Sequence, residues 1–312
     1  PVVAMQLLDS AQSEDIILRN RAQQQRIRMA QQKKAHKLTI QRALSAFNEE
    51  EAQMQRRFVC DWDTYVPTRP PFVGQKAERR IAIKDLMPCI DWLYFYWAWR
   101  VKEDSDEGQL LRKDAEELLK LMSEGNDYDV RTLQAFYPAR GKADRIELGM
   151  TQIMTPRQGA LTANGRQREQ CLALCDYISP RGNDYVGVFA ATMSETFVRE
   201  LEQKKEEGND DYEMLLMQTL GDRLAEAAAE YLSRELAEGY VSENDGCRNE
   251  WHGIRPAIGY PSLPDQKTIF TLEKFLPYAD IGIRLTENGA MYPQASVTGL
   301  YISHPDATYF SI

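Results

Sequence analysis

At 312 residues, with 43% hydrophobic and 27% charged side chains, the chain has the make-up of a soluble globular protein with one large core or two smaller ones. It holds no run of 18 apolar residues, which excludes a membrane-spanning helix. The formal net charge of -9 is uneven: residues 1–57 carry ten Lys and Arg against six Asp and Glu, while the remainder is acidic and so a poor ligand for nucleic acid.

Five cysteines form an odd set without a CxxC pair, and there are three histidines. That combination disfavours a structural zinc site and fits a reducing, cytoplasmic setting. Cys171 and Cys175, four apart, read as small buried side chains rather than metal ligands. The sequence starts at Pro1 without a basic, apolar and small-residue leader pattern, so we expect a processed protein or an excised piece of a longer one.

Pro1–Leu8 is a short apolar run that reads as the end of a preceding buried element. Ser13 to Phe47 reads as helix: Ser13-Glu-Asp supplies a cap and an acidic first turn, and eight Lys and Arg then occur before the next acid, Glu49. Its apolar positions are too sparse for a strong coiled coil, which leaves a solvated linker helix or a basic arm for nucleic acid or an acidic partner. Organisation changes at Phe58, so we expect one domain boundary between 57 and 58. Tyr65-Val-Pro-Thr-Arg-Pro-Pro71 is an extended arm, and Trp92–Trp99 packs six aromatics into eight residues. Asp91, charged and immediately before that cluster, must cap a helix, be paired, or face a ligand.

Glu107–Glu124 has helical spacing with a stop at Gly125. Arg131–Pro138 and Arg145–Leu148 flank Gly141-Lys-Ala-Asp144 as a hairpin, and Cys171–Ile178 and Asp184–Ala191 read as further strands. Helices are expected over Ser194–Glu207, from about Asp211 to Gly239, and over Asp265–Leu276. Ile283–Glu287 and Ser296–Ile302 read as closing strands. Helices and strands do not alternate regularly, so the fold class is α+β with an antiparallel sheet.

Dinucleotide, P-loop, nucleophile-elbow and zinc-protease motifs are missing from the sequence, as is an Asp-x-His-x-x-Gly cobalamin motif. What remains are isolated polar groups in aromatic or Gly/Pro settings. Arg255-Pro-Ala-Ile-Gly-Tyr-Pro261 is a stiff, non-helical path: Pro256 forces Arg255 towards extended backbone, and Gly259 permits a turn or a close approach. A guanidinium at its head and a tyrosine near its tail suit a small ligand with a carboxylate and a flat ring, although an ordinary loop with a surface arginine has the same residue types. Glu226 and Glu230, four apart in an Ala- and Leu-rich helix, read as a charged solvent face.

Several segments occur together, in order. They are Asp91-Trp92, Asp222-Arg-Leu-Ala-Glu-Ala-Ala-Ala-Glu-Tyr-Leu232, Gly253-Ile-Arg-Pro-Ala-Ile-Gly-Tyr-Pro261, Leu285-Thr-Glu287, Ala295-Ser-Val-Thr-Gly299 and Ser303-His-Pro-Asp306. This set resembles the C-terminal activation, or reactivation, domain of cobalamin-dependent methionine synthase, from about Phe58 to the end. Pro1–Leu8 and Ser13–Arg28 resemble the end of that enzyme's cobalamin domain and its linker.

The resemblance implies a C-shaped α+β domain over 58–312 with a twisted antiparallel sheet, preceded over 1–57 by the end of the cobalamin domain and a basic linker helix. It implies S-adenosylmethionine in a shallow groove and cobalamin carried by another domain or subunit. Asp91 stands at the position contacting the ligand's amino-acid end, and Arg255 at the position binding its carboxylate. The backbone of Ala257 and Gly259 would run along the ligand, Glu226 would lie near it, and Tyr309 and Phe310 match an aromatic pair that is commonly Tyr-Tyr. Tyr260 matches a tyrosine that faces the corrin. Asn249, beside Glu250, stands where the family has a glutamate.

The implied activity is reductive methylation of cob(II)alamin to methylcobalamin, with the cobalamin-binding domain as partner and flavodoxin or a flavin reductase as electron donor. A docking or regulatory subunit without turnover is the alternative within the same family. Neither nucleic acid nor a membrane is an implied partner. An arginine fork suits a carboxylate, and acids with aromatic rings suit the ammonium and sulfonium cations.

Overall fold

The computed structural model describes residues 48–125, 127–208 and 211–312, together with 28–29, 31–32, 34–35 and 37–39. The Pro1–Leu8 run and most of the Ser13–Phe47 helix lie outside the described residues; the described positions between 28 and 39 are helical, as are 48–55. The chain divides into two compact units, Pro1–Arg57 with Gly159–Cys171, and Phe58–Gln158 with Leu172–Ile312. Gly159–Cys171, expected within 58–312, therefore belongs to the first unit. There Glu49 accepts the Ala160 backbone N–H, and Cys171 N–H donates to the Arg56 carbonyl at 2.8 Å.

The second unit is built on an eight-stranded antiparallel sheet. Its strands are β1 (Gly74–Gln75), β2 (Arg79–Ala82), β3 (Asp129–Lys142), β4 (Arg145–Leu148), β5 (Thr151–Met154), β6 (Asp184–Met193), β9 (Gly253–Ile254) and β12 (Ser296–Ser303). The path runs β5-β4-β3-β6-β12-β9, with β1 and β2 also paired to β3. Between β6 and β9 lie β7 (Tyr240–Val241) and β8 (Arg248–Asn249), which form one separate ribbon. A second ribbon joins β10 (Arg284–Leu285) to β11 (Met291–Tyr292).

Period-2 alternation on the central strands explains why the sheet has two cores. Phe189, Ala191 and Met193 of β6 and Tyr301 of β12 face one hydrophobic cluster, whereas Val186, Val188 and Ala190 with Leu300 and Ile302 face the other. The first cluster is covered by helices: α1 (Ile83–Leu86), α2 (Trp92–Trp99), α3 (Asp106–Glu124), α4 (Glu195–Glu207) and α5 (Asp211–Glu238). Helix α5, of 28 residues, buries Leu216, Leu220, Leu224, Ala228, Leu232 and Leu236 at a spacing of four, and leaves Glu226, Glu230 and Arg234 at least partly exposed on successive turns. The second cluster is covered by Leu263, Leu276, Tyr278 and α6 (Ile269–Leu272).

Three expected elements differ. Cys171–Ile178 is not a strand: Leu174–Tyr177 is a 3-10 turn in which the Asp176 carboxylate accepts the Ala173 backbone N–H. Its nearly continuous apolar side chains are buried in the second cluster rather than by a ladder. Asp265–Leu276 is broken into a 3-10 turn, Gln266–Thr268, and the single turn α6. Ile283–Glu287 shrinks to β10, paired in its own ribbon. The Gly141–Asp144 hairpin and the two helices after β6 fall where the pattern places them, and the aromatic run Trp92–Trp99 is a helix capped by Asp91.

Candidate functional site

A cleft of about 770 Å³ opens between the start of α2, the polar stripe of α5, the loop after β9 and the C-terminal segment. Its lining includes Asp91, Trp92, Tyr94, Arg223, Glu226, Glu230, Arg234, Arg255, Tyr260, Tyr309 and Phe310. The volume suits a ligand of nucleoside size.

Each wall is fixed by local chemistry. At the first, Asp91 is the N-cap of α2; its Oδ1 accepts the backbone N–H groups of Leu93 (3.0 Å) and Tyr94 (3.4 Å). Oδ2 of the same carboxylate makes no hydrogen bond among the described residues, so Asp91 both starts the helix and keeps an open acceptor in the cleft. The second wall is α5, where Glu226, Glu230 and Arg234 stand on successive turns.

The loop Arg255–Pro261 forms the third wall. It lies hard against β12: Ala257 bridges to Gly299, and a Cβ on Gly299 would meet the Pro256 carbonyl at 2.4 Å. Gly259 turns the loop with φ at 85°. The C-terminal segment closes the fourth side, tied by Gln158 Nε2 donating to the Ser311 carbonyl (2.6 Å) and Ile312 N–H to the Pro261 carbonyl (3.2 Å). Tyr309 OH accepts the Arg255 backbone N–H at 3.0 Å, linking the two segments.

At the centre, Arg255 Nε donates to Glu230 Oε2 at 3.1 Å, while Arg255 Nη1 stands 3.7 Å from Glu226 Oε2. Tyr260 OH donates to Glu226 Oε1 at 2.6 Å, and Arg234 Nε to Glu230 Oε1 at 2.9 Å. Burial opposes the charge on Arg255, but Glu226, Tyr309 and Glu230 outweigh it and hold its pKa above the ordinary value. Burial likewise acts to raise Glu230, yet Arg234 and Arg255 keep its carboxyl below the usual range. For the Tyr260 phenol, burial and then Glu226 act together, pushing it well up. The arrangement can grip a carboxylate on a guanidinium, take a cation between acids and rings, and stack a flat ring on exposed aromatics. No group of three or more His, Cys, Asp or Glu among the described residues could hold a metal ion.

Six of the residues singled out from sequence meet here: Asp91, Glu226, Arg255, Tyr260, Tyr309 and Phe310. Ala257 and Gly259 do not line the cleft; Ala257 is buried against β12. Asn249 lies on β8, opposite Tyr240, and also stays outside the lining. Sequence reasoning missed Glu230 as the acid that holds Arg255, Arg234 as the residue that clamps Glu230, and Arg223, whose guanidinium lies over the Tyr94 ring at 5.9 Å. The i, i+4, i+8 spacing of Glu226, Glu230 and Arg234 was the available signal.

The family described as vitamin B12 dependent methionine synthase, activation domain, matches residues 82–312. The crystal structure of the MetH reactivation domain bound to AdoHcy is similar, with 30% identity and a TM-score of 0.71 over 84% of this chain and 88% of that one. With three quarters of its length in the family match and the same antiparallel sheet with flanking helices, the chain belongs to the activation-domain family of vitamin B12 dependent methionine synthase.

Proposed function

We propose that this chain binds S-adenosylmethionine in the cleft and supports reductive methylation of cob(II)alamin held by the cobalamin-binding domain. The observation that carries this reading is the Arg255 guanidinium, 19% exposed and hydrogen-bonded by one acid at Nε, in a cleft that also offers an open Asp91 oxygen. The AdoHcy-bound relative adds support, since that ligand shares the adenosine and amino-acid groups of S-adenosylmethionine.

In this reading Arg255 takes the ligand carboxylate, and Asp91 Oδ2 takes the ammonium. Glu226 lies near the sulfonium, with the rings of Tyr309 and Phe310 lining the rest. The backbone of Ala257 and Gly259 braces the loop that carries Arg255. Bound S-adenosylmethionine supplies a methyl group on a positively charged sulfur, which leaves as the neutral thioether. The chain's own contribution is orientation: it needs no general base, because no proton moves in methyl transfer. Tyr260, 39% exposed at the cleft, is the residue we assign to the corrin-facing side. Flavodoxin or a flavin reductase supplies the electron, and the setting is cytoplasmic.

The test is reductive methylation of an added cobalamin domain with S-adenosylmethionine and a flavin-based reductant. Wild type should support it and Arg255→Ala should not. Tyr260→Phe should keep ligand affinity and slow the methylation step. Ligand binding by wild type without any methylation would instead identify a docking or regulatory subunit without turnover.

A further inference from the structure

We propose that Glu230 is the positioning residue of the cleft: it stays on Arg255 and sets the guanidinium's angle, while Glu226 is the partner that a ligand carboxylate displaces. This rests on the reading of the cleft as an S-adenosylmethionine site. A guanidinium can grip a carboxylate along its Nε edge or across its two terminal nitrogens. Glu230 Oε2 occupies Nε at 3.1 Å. At the terminal edge the nearest ion-pair partner, Glu226 Oε2, stands at 3.7 Å from Nη1, beyond hydrogen-bond range.

The two acids also differ in what else restrains them. Glu230 is clamped on its far oxygen by Arg234 Nε at 2.9 Å, from the next turn of the same helix. That turn is backed by Ala228, Ala229 and Leu232, each no more than 1% exposed, so the clamp is mounted on a rigid element. Glu226 is instead held on Oε1 by the hydroxyl of Tyr260, a loop residue that is 39% exposed. A ligand carboxylate arriving at the terminal nitrogens therefore meets a loose ion pair. Once displaced, Glu226 keeps its Tyr260 hydrogen bond and is free to face the ligand's cationic end. Without Glu230, Glu226 becomes the sole acid beside Arg255 and closes onto the terminal edge that the ligand needs.

The discriminating measurement is the affinity ratio of S-adenosylmethionine to decarboxylated S-adenosylmethionine, which keeps the sulfonium and ammonium but lacks the carboxylate. Wild type should favour S-adenosylmethionine by about 10- to 100-fold. Glu230→Ala should collapse that ratio to about threefold or less, leaving affinity for the decarboxylated compound near that of wild type. Glu230→Gln should recover part of it, and Glu226→Ala should weaken both compounds while keeping the ratio. General loss of structure would weaken both ligands together. A full wild-type ratio in Glu230→Ala, or its collapse in Glu226→Ala instead, overturns the proposal. Failure of wild type to bind or to tell the two compounds apart removes the reading of the cleft itself.

Discussion

Two arginines of the sheet-bearing unit, the buried Arg157 and the partly buried Arg255, each sit between two acids, and they are built to opposite ends. Arg157, 3% exposed, donates from Nε and Nη2 to Asp144 Oδ1 at 2.9 and 2.7 Å, and from Nη1 and Nη2 to Asp176 at 2.5 and 2.6 Å. Both edges of its fork are engaged, and burial, though it opposes the charge, is outweighed by Asp176 and Asp144, which push its pKa further up. Arg255 has hydrogen-bonding acid on one edge only, with the second acid at 3.7 Å. The difference separates a guanidinium that fastens the fold from one held ready for something else. Arg157 is the more deeply buried of the two, and its hydrogen-bonding pattern is the complete one.

The sharpest break of this comparison comes from removing each arginine in turn. Arg157→Ala strands two partly buried carboxylates and should cost about 3 kcal/mol or more in urea unfolding, with S-adenosylmethionine affinity at the folded protein little changed. Arg255→Ala should reverse the pattern. Glu230 keeps Arg234 and Glu226 keeps Tyr260, so stability should fall by only about 1 kcal/mol, while affinity drops about 100-fold. Equal stability losses in the two variants would mean that Arg255 is a structural arginine as well.

Asp91 caps α2 and, in the proposed reading, also holds the ligand's ammonium, and two substitutions separate the two roles. Asp91→Ala should lose the cap, about 1 kcal/mol, along with the ligand's ammonium partner. Asp91→Asn should keep most of the cap, since its side-chain oxygen can still accept the Leu93 and Tyr94 N–H groups, and lose affinity alone. Calorimetry beside thermal unfolding reads both effects. Unchanged affinity in Asp91→Asn would limit this residue to capping.

The smallest effect concerns His304, a group that neither arginine network touches. Tyr65 stacks on its ring, Phe58 and Trp62 meet it edge-on, Tyr177 lies tilted beside it, and Nε2 has no hydrogen-bond partner among the described residues. Burial lowers its pKa below the ordinary 6.5, and Asp306 only partly offsets this. The unfolded chain therefore binds the proton first as pH falls. Stability should be full above about pH 6.5 and decline as pH drops from there towards the folded-state value. His304→Phe should flatten that slope in the window above the carboxylate range; an unchanged slope would assign it to other groups.

The legibility of the sequence follows the same line between local and assembled structure. The α5 helix was readable because its 28 residues are rich in the strong helix formers Ala, Leu and Glu. Asp91 was readable because an acid directly before an aromatic run has few options. The Arg255 loop was readable as stiff from Pro256 and Gly259, but not as a site, because its meaning depends on Tyr309 and α5, 54 and 25 residues away in the chain. Cys171–Ile178 misled for the same reason: a short, nearly continuous apolar run fits both a strand and a turn buried by distant elements, and Asp176 was needed for the Arg157 pair. Glu230 looked like solvent face until Arg255 arrived beside it, since i, i+4 acids carry no mark of what the fold will bring to them.

Calorimetric titration of S-adenosylmethionine into the wild-type chain and into Arg255→Ala tests the central claim most directly. The account predicts saturable one-site binding to wild type, and its loss in a variant that still unfolds cooperatively. Absence of binding to wild type, or equal affinity in the two proteins, would contradict it.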